Sequence, residues 1–427
     1  MTVSTRPLLL LTVALMLTAC GGSKNLLQRG EVLSSGTVAS LTRETINRQS
    51  DATFKHLASG TIRRLGGDAK CDVTVHKLVY ATIKPGGTPG ATASAVLLVP
   101  VESATCPGPF PLLTYNHGTH VTRAESMADT TNSDTIMLTS FYASQQYVVV
   151  ATDYLGLAES NLPYHPYMHA ETEASASIDA VRAATKKLSE LGTSLSGKLF
   201  VSGYSQGGHA TMATHRVLEA DPSLGLKVTA SGAMSGSYDL DGTFVTVVET
   251  QMPKGSQFSS MLFPYAATAF QKIYGNIYVT PTDYFKEPYA ADIESLLPGT
   301  VSLVDLFKKG MVPLQLGDIV TSKLITDMKA ESSGIRQALK INTLLNWKPQ
   351  APMLLCGSSL DQTVPFKNAL TSKQSIESLG GSVSLVDVEQ EPEFTSLLSQ
   401  LDATQRHMDI IPMCMKIVRD RQLAPLR

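Results

Sequence analysis

The amino-acid sequence predicts an α/β fold, with a mostly parallel central sheet and an inserted helical cap. Short apolar runs of the kind found in buried strands alternate with segments of helical periodicity. One of these runs, within residues 198–210, turns sharply through a Gly-x-Ser-x-Gly pattern into a helix. The alternation stops between about residues 241 and 347, an interval too long for one crossover helix. Together these features indicate one large α/β core with an insertion.

The first 19 residues are predicted to be an export signal. Arg6 supplies a positive charge, and the apolar run Leu8–Leu17 is too short to span a bilayer as a helix. Residues 17–21, LTACG, resemble a bacterial lipobox, which implies cleavage before Cys20 and attachment of lipid to its thiol. An ordinary secretory signal with an incidental cysteine is the alternative. Residues 20–45 are polar, with Gly and Ser, which predicts a tether.

The composition is that of a globular protein with a large core and a nearly neutral surface. The 427 residues are 43% hydrophobic and 17% charged, with a net charge of -2. This is enough for one large domain with an insertion, or for two domains. The charge balance provides no basic surface, so we expect no nucleic-acid partner. No motif indicates a cofactor, and none is expected.

Four cysteines remain besides Cys20, and an exported chain is expected to oxidise them. They are Cys71, Cys106, Cys356 and Cys414, and they allow three pairings as two disulfides. Because Cys71 and Cys106 flank the first strands, we prefer that pair, which leaves Cys356 with Cys414. Buried free thiols are the alternative, above all for Cys356, which lies within an apolar strand.

Eight strands are predicted in the core. The first alternates apolar and polar residues, as a half-buried strand does, and a Gly- and Pro-rich turn at residues 84–90 joins it to the second as a hairpin. The fourth is almost entirely apolar, which is typical of a central strand covered on both faces. The predicted strands are Cys71–Ile83, Ala93–Val99, Pro109–Tyr115, Tyr147–Thr152, Leu199–Ser202, Lys227–Ala233, Met353–Cys356 and Ser382–Val388.

Helices are predicted after several of these strands and within the insertion, from apolar residues at helical spacing. They are Glu173–Leu191, Thr211–Leu218, Phe366–Leu379 and Ile411–Arg419 in the core, and Met261–Tyr274, Ile293–Phe307 and Ile335–Leu345 in the insertion. We predict a core made of residues 46–240 and 348–427, with residues 241–347 as a helical cap over the active site. A structural excursion without a substrate role is the alternative.

Ser205 is the predicted nucleophile. A tight turn between strand and helix forces one residue into a strained backbone conformation and lifts its side chain above the sheet. Gly203 and Gly207 allow the strand and the helix to approach without a Cβ clash. The start of the helix adds backbone N–H groups and the positive end of the helix dipole, which suit a developing oxyanion. A Gly- and Ser-rich loop at a strand end is the alternative.

A serine hydroxyl needs a base, and the base needs an acid to orient it. Asp361 is the predicted acid because it follows a strand end in a short loop, where ligands meet open α/β sheets. Asp387 is the second choice, since it lies in a strand-like run. His407 is the predicted base, because no other histidine follows Asp361, and we expect it in a loop before the closing helix. The chain order of Ser205, Asp361 and His407 is the order expected for such a turn.

Two backbone N–H groups should form an oxyanion site. The first belongs to Gln206, the residue after the nucleophile. The second is expected in the loop after the third strand, where Gly118 permits a close approach and Thr119 supplies the N–H.

His117, Asp153 and Tyr204 are expected to line the substrate site. For Asp153, a role in fixing its own loop by hydrogen bonds is equally consistent with the sequence. Residues 165–167, HPY, pack beside the acyl site or form a plain turn. His117 and His120 suggest a metal pair, but no third ligand accompanies them at metal spacing, so no metal site is expected.

At these positions the sequence resembles the secretory lipase family of α/β-hydrolases. The resemblance spans roughly Leu112 to His407 and implies an α/β-hydrolase fold, a helical lid and an exported serine esterase or lipase. It also implies that Ser205 is the nucleophile, Asp361 the acid and His407 the base. The loop before Asp361 departs from the pattern, since it reads CGSS where relatives commonly start with a His-Gly-like pair. The matching motifs are YNHGT at residues 115–119, DYLGL at 153–157, HPY at 165–167, GYSQGG at 203–208 and DQTVP at 361–365.

The sequence therefore predicts an exported serine hydrolase that cleaves acyl esters through an acyl-enzyme. A serine peptidase acting on short peptides or aminoacyl amides is one alternative, and it would need a carboxylate such as Glu249 or Asp292 to hold the peptide amine. A non-catalytic surface binding protein on the same scaffold is the other. The expected location is the bacterial cell envelope, at the outer membrane or cell surface, with the chain attached through lipid on Cys20. A periplasmic or secreted protein is the alternative.

Overall fold

The computed structural model describes residues 1, 27–52, 57–251, 259–296, 298–300 and 315–427. The predicted export signal and the predicted lipidation of Cys20 lie outside these ranges, and both stay predictions from the sequence. Within the ranges, no helix is both long and apolar enough to cross a bilayer.

A nine-stranded sheet organises the fold, with the strand order β1-β2-β3-β5-β4-β6-β7-β8-β9. The neighbours β1/β2, β2/β3 and β3/β5 are antiparallel, and the other five pairs are parallel. All eight predicted strands are present, as β2 to β9, so the mostly parallel α/β fold is confirmed. The strands are β1 (Val32–Leu41), β2 (Val73–Ile83), β3 (Pro89–Pro100), β4 (Phe110–Asn116), β5 (Val148–Thr152), β6 (Leu195–Tyr204), β7 (Val228–Met234), β8 (Met353–Gly357) and β9 (Ser384–Asp387).

Helices cover both faces of this sheet. In β5 the buried side chains alternate, so that Val149 and Ala151 join the apolar cluster under α1–α3 and α16, while Val148 and Val150 join the cluster under α4. The helices are α1 (Arg43–Asp51), α2 (Thr61–Gly66), α3 (Ser133–Phe141), α4 (Ala170–Glu190), α5 (Gln206–Ala220), α6 (Leu240–Thr246), α7 (Ser259–Tyr274), α8 (Pro281–Tyr284), α9 (Tyr289–Leu296), α10 (Leu316–Ile319), α11 (Ser322–Lys329), α12 (Gly334–Ile341), α13 (Lys367–Ser378), α14 (Thr395–Leu398), α15 (Arg406–Asp409) and α16 (Ile411–Ile417).

Strand β1 corrects the predicted tether. The sequence predicts a tether over residues 20–45, but residues 32–41 pair antiparallel with β2 at the edge of the sheet, and α1 follows directly. Most side chains of β1 are exposed. A strand at a sheet edge that buries so little needs few apolar residues, and its Ser- and Gly-containing sequence therefore looks like a linker.

The insertion between β7 and β8 carries α6–α12 and has an apolar cluster of its own. Two loops of the core join this cluster through Val121, Tyr167 and Met168. The ring of Tyr265 in α7 stacks on Tyr167 at 4.3 Å, and its hydroxyl donates to the carbonyl of His120 at 3.2 Å. The inserted helices therefore pack against the loops at the carboxyl ends of β4 and β5.

Two of the three predicted helices of the insertion correspond closely to α7 and α12. The third, predicted for residues 293–307, begins earlier, as α9, and residues 301–307 lie outside the described ranges.

The preferred pairing of the cysteines is confirmed. Cys71 and Cys106 form one disulfide, with their Cα atoms 5.2 Å apart, and Cys356 and Cys414 form the other, at 5.7 Å. The first ties the start of β2 to the chain segment after β3. The second joins β8 to α16, the two elements that bracket the predicted acid and base.

Candidate active site

Ser205 lies in the turn between β6 and α5. The strand ends at Tyr204 and the helix begins at Gln206, so one residue makes the whole turn. Ser205 has φ 59° and ψ -118°, a combination that few residues other than glycine adopt. Its N–H donates to the carbonyl of Met234 at the end of β7, at 2.9 Å. This strained position holds the side chain above the carboxyl edge of the sheet, as the sequence pattern predicts.

Two glycines permit this turn because the end of β4 passes close to it. A Cβ atom on Gly207 would lie 1.8 Å from the carbonyl oxygen of Asn116, which is far inside van der Waals contact. A Cβ atom on Gly203 would lie 2.4 Å from the carbonyl oxygen of Gly207. Any larger residue at either position would push the helix away from the sheet, so both must be glycine for this geometry.

The structure brings Ser205, His407 and Asp361 into one hydrogen-bonded series. Nε2 of His407 lies 2.9 Å from Oγ of Ser205, and Nδ1 lies 2.6 Å from Oδ2 of Asp361. All three side chains are buried. A carboxylate only accepts hydrogen bonds, so Nδ1 carries the proton and Nε2 is free to accept from the serine hydroxyl. This is the tautomer that a general base requires.

His407 lies in the one-turn helix α15 rather than in the predicted loop. The helix follows a 3-10 turn at residues 403–405 and precedes α16. A single helical turn has too few residues to show a periodic pattern, so the sequence gives no sign of it.

Asp361 follows β8 in a tight loop that fixes its carboxylate. Oδ1 accepts hydrogen bonds from the N–H groups of Thr363 and Val364, at 2.8 and 2.9 Å, and Oδ2 faces His407. Asp387, the second choice for the acid, has a different role. Oδ1 of Asp387 accepts hydrogen bonds from the N–H groups of Ser359 and Glu389. Asp387 therefore holds the start of the loop that contains Asp361.

A cavity of about 290 Å³ opens beside Ser205 and His407. The lining includes the polar residues Glu125, Asn132 and Asp134 and the apolar residues Met408 and Ile411. The lining residues are Tyr115, Gly118, Thr119, His120, Glu125, Asn132, Ser133, Asp134, Tyr204, Ser205, His407, Met408 and Ile411.

The two residues predicted to supply oxyanion donors flank Ser205. Gln206 is the first residue of α5, where backbone N–H groups have no acceptor within the helix. Thr119 lines the cavity, and its hydroxyl lies 2.9 Å from that of Tyr167. The loop before it passes close to the nucleophile, since a Cβ atom on Gly118 would lie 3.8 Å from the Ser205 Cβ. This placement agrees with the predicted donors, whose role stays a prediction.

Of the residues expected to line the substrate site, Tyr204 lies in the lining of this cavity, and its hydroxyl donates to the carbonyl of His407 at 2.5 Å. Asp153 is buried instead, where it accepts hydrogen bonds from Ser94 at 2.6 Å and from the N–H of Met127 at 2.6 Å. It holds its loop, which is the alternative considered above. His117 is fully buried, with Nδ1 2.6 Å from the carbonyl oxygen of Gly118.

The buried rings of His117 and His120 stack at 4.0 Å, yet their pKa values shift in opposite directions. Burial and the neighbouring His120 keep the pKa of His117 well below its usual range. Burial also opposes a charge on His120, but Asp134 and Glu125 outweigh it and raise the pKa of His120. Among the described residues, no group of three or more His, Cys, Asp or Glu side chains is placed to hold a metal ion.

The sequence did not point to Glu125 and Asp134, although both line the cavity and place carboxylate oxygens 3.6 and 3.7 Å from the His120 ring nitrogens. Their only signal is position, since the connection between β4 and β5 leaves from the carboxyl edge of the sheet. The carboxylates considered for a peptide amine, Glu249 and Asp292, are exposed, and neither is a lining residue of this cavity.

The family of the chain follows from its sequence. The profile of the secretory lipase family matches residues 121–409, more than half of the chain, including Ser205, Asp361 and His407. The chain belongs to the secretory lipase family. The predicted resemblance is thereby confirmed. The description of the family as secretory lipases supports hydrolysis of carboxylic esters, and the two disulfides agree with export to an oxidising compartment.

Solved structures agree with this membership. The rice cell wall degrading esterase LipA from Xanthomonas oryzae is 40% identical, with a TM-score of 0.83, and the match covers 93% of this chain and 100% of that one. A putative hydrolase from Legionella pneumophila is 25% identical, with a TM-score of 0.78, covering 92% of this chain and 99% of that one. Candida antarctica lipase A is 15% identical, with a TM-score of 0.62, covering 90% and 83%, and shows the shared fold alone. No curated protein matches the sequence significantly.

Proposed function

We propose that this secretory lipase is a serine esterase that cleaves carboxylic esters through an acyl-enzyme on Ser205. The observation that carries the proposal is the buried series from Ser205 through His407 to Asp361, with distances of 2.9 and 2.6 Å. A nucleophile, a base in the correct tautomer and an orienting acid stand in order beside a cavity. Family membership supports the ester as the bond that is cleaved.

In the first half-reaction, Oγ of Ser205 attacks the ester carbonyl carbon while its proton passes to Nε2 of His407. The Asp361 carboxylate stabilises the imidazolium that forms. The backbone N–H groups of Gln206 and Thr119 donate hydrogen bonds that stabilise the negative charge on the carbonyl oxygen. When the tetrahedral intermediate collapses, the bond to the alcohol oxygen breaks. The imidazolium returns its proton to that oxygen, and the alcohol leaves.

In the second half-reaction, water replaces the alcohol. His407 takes a proton from the water as it attacks the acyl carbon of the ester on Ser205. A second oxyanion forms at the same pair of N–H groups and collapses. The proton on His407 returns to Oγ of Ser205, and the carboxylic acid is released.

The size of the cavity supports short acyl esters as the preferred substrates. Ligand pockets typically enclose roughly 300–1,000 Å³, and the cavity beside Ser205, at about 290 Å³, is small. Its wall carries Glu125, Asn132 and Asp134, which suit polar groups better than a long alkyl chain.

Hydrolysis of p-nitrophenyl esters from acetate to palmitate tests this proposal. Wild type should be active, with the highest kcat/KM on the short esters, and Ser205→Ala should lower kcat by about 10⁴-fold or more. The matched control is Ser202→Ala in the same strand, because the Ser202 hydroxyl donates to the carbonyl of Gly232 rather than facing the cavity. A folded wild type that hydrolyses none of these esters would contradict the proposal, and activity retained in Ser205→Ala would exclude this nucleophile.

A further inference from the structure

The side chain of Gln206 is held by two buried groups that the reaction itself does not use. Nε2 of Gln206 lies 2.9 Å from Oε1 of Glu173 and 2.8 Å from Nε2 of His165. All three residues are at least 98% buried. Oε1 of Gln206 has no hydrogen-bond partner in the described part of the chain. The orientation of the Gln206 side chain is therefore set by Glu173 and His165.

The hydrogen-bond chemistry allows only one orientation of the Gln206 amide. Nδ1 of His165 lies 2.7 Å from the carbonyl oxygen of Leu155, which only accepts, so Nδ1 carries the proton. Burial lowers the pKa of His165 to about 4, so the ring is neutral near pH 7 and Nε2 accepts. Nε2 of Gln206 donates to this nitrogen and to the Glu173 carboxylate. With the amide reversed, its oxygen would face two acceptors.

Glu173 has a buried hydrogen-bond partner in His209, one turn along α5 from the nucleophile. Oε2 of Glu173 lies 2.6 Å from Nδ1 of His209, and Nε2 of His209 donates to the carbonyl of Asn342 at 2.8 Å. A short hydrogen bond therefore joins the side chains of Glu173 and His209, and the carbonyl of Asn342 holds the other side of the His209 ring.

We propose that Glu173 is a positioning residue for the oxyanion site, an inference that rests on the proposed esterase function. Glu173 lies in the first turn of α4, holds the Gln206 side chain and is itself held by His209. The N–H of Gln206 and its side chain leave the same Cα atom, so fixing the side chain restricts rotation of the peptide unit that points at the oxyanion. A shift of such a donor by 1 Å lowers the rate by up to about 100-fold.

The first test compares Glu173→Ala with Glu173→Gln, measuring kcat and KM on p-nitrophenyl butyrate. Glu173→Ala removes the acceptor for Gln206 and should lower kcat by about 10-fold, with KM little changed, because the donor acts only on the developing oxyanion. Glu173→Gln keeps an amide oxygen for Gln206 and an N–H for a neutral His209, and should recover most of the lost kcat. A role in folding alone would lower Tm in both variants without this difference in kcat.

The matched control is Glu219→Ala. Glu219 and His215 form a second Glu–His pair, within α5, in which Oε1 of Glu219 lies 2.8 Å from Nε2 of His215. This pair does not contact Gln206. Its loss should lower Tm and leave kcat within twofold of wild type. If Glu173→Ala and Glu219→Ala behave alike in kcat, Glu173 has no positioning role and the inference is wrong.

The second test is the double variant of Glu173→Ala with Gln206→Ala. If Glu173 acts through the Gln206 side chain, Gln206→Ala alone lowers kcat by a similar factor and the double variant loses little more. Losses that multiply would overturn the inference. Gln206→Ala with wild-type kcat would overturn it even if Glu173→Ala failed to fold. An inactive wild type would instead refute the esterase proposal, so the two failures are distinguishable.

Discussion

At the scale of single residues, Asp361 shows how a carboxylate is committed to one partner. Its Oδ1 is occupied by the N–H groups of Thr363 and Val364, and its Oδ2 is left for His407. The loop thus fixes both the position of the carboxylate and the direction from which it accepts. An amide in its place would keep the shape but would present an N–H group to Nδ1 or offer a weaker acceptor.

Asp361→Asn should therefore lower kcat on a short ester by about 10³- to 10⁴-fold, because the amide permits the wrong tautomer of His407. Asp387→Asn is the matched control, since Asp387 is bonded to the N–H of Ser359 in the same loop. It should leave kcat within about threefold of wild type. Steady-state kinetics of both variants show which residue is the acid. A large loss of kcat in Asp387→Asn, with little loss in Asp361→Asn, would reverse the assignment.

The sequence could predict the buried series because its three members come in a fixed chain order next to strand ends. Ser205 lies within a recognisable glycine pattern, and His407 is the only histidine in the sequence after Asp361. Glu173 and His209 could not be found this way. Each lies within a helix, where a polar residue is usually solvated, and only the packing of α4 against α5 brings them together.

At the scale of elements, the disulfide Cys356–Cys414 ties together the strand before Asp361 and the helix after His407. One covalent bond therefore joins β8, which precedes Asp361, to α16, which follows His407. The disulfide Cys71–Cys106 closes a shorter loop, at a sequence separation of 35 against 58, in a region remote from the nucleophile turn.

Replacing Cys356 and Cys414 by alanine should lower the free energy of unfolding by about 4 kcal/mol, from the entropy of the opened loop. It should also lower kcat several-fold, because the acid and the base lose their common restraint. Cys71→Ala with Cys106→Ala should destabilise by a similar amount and leave kcat unchanged. Urea unfolding and ester kinetics measure the two effects, and equal kcat in both double variants would show that the link has no effect on the pair.

Elements with a strong apolar signature were predictable and those without one were not. Strand β5 is an almost continuous apolar run, because both of its faces are covered, and its prediction is confirmed. Strand β1 buries little and has no such run, so its place in the sheet depends on backbone pairing with β2 that no side-chain pattern reveals. The one-turn helix α15 is hidden for a similar reason, since its four residues cover little more than one helical period.

At the scale of the whole molecule, buried neutral histidines make stability depend on pH. Burial lowers the pKa of His165 to about 4, against the opposing effects of the Leu155 carbonyl and Glu173, and it also lowers the pKa values of His117 and His169. An unfolded histidine has a pKa of about 6.5. Below that value the unfolded chain binds protons that the folded chain excludes, so stability is lost as pH falls from about 6.5 toward 4.

His165 alone should account for about 2 kcal/mol of lost unfolding free energy between pH 7 and pH 5. Urea unfolding of wild type at the two pH values measures the total loss. In His165→Asn, which keeps an amide N–H for the Leu155 carbonyl but has no titrating ring, the loss between the same two pH values should be smaller by about that amount. An identical pH dependence in both proteins would mean that His165 is not neutral in the folded state.

Because β1 is part of the sheet, the folded body begins much nearer to Cys20 than a tether of 26 residues would allow. Only the eleven residues 21–31 separate Cys20 from Val32, and even a fully extended chain of that length reaches only about 40 Å. A form anchored through lipid on Cys20 would therefore be held close to the membrane surface, within the reach of these eleven residues. Only esters that reach the membrane surface would be accessible to such a form, whereas a form released without lipid would meet its substrates in solution.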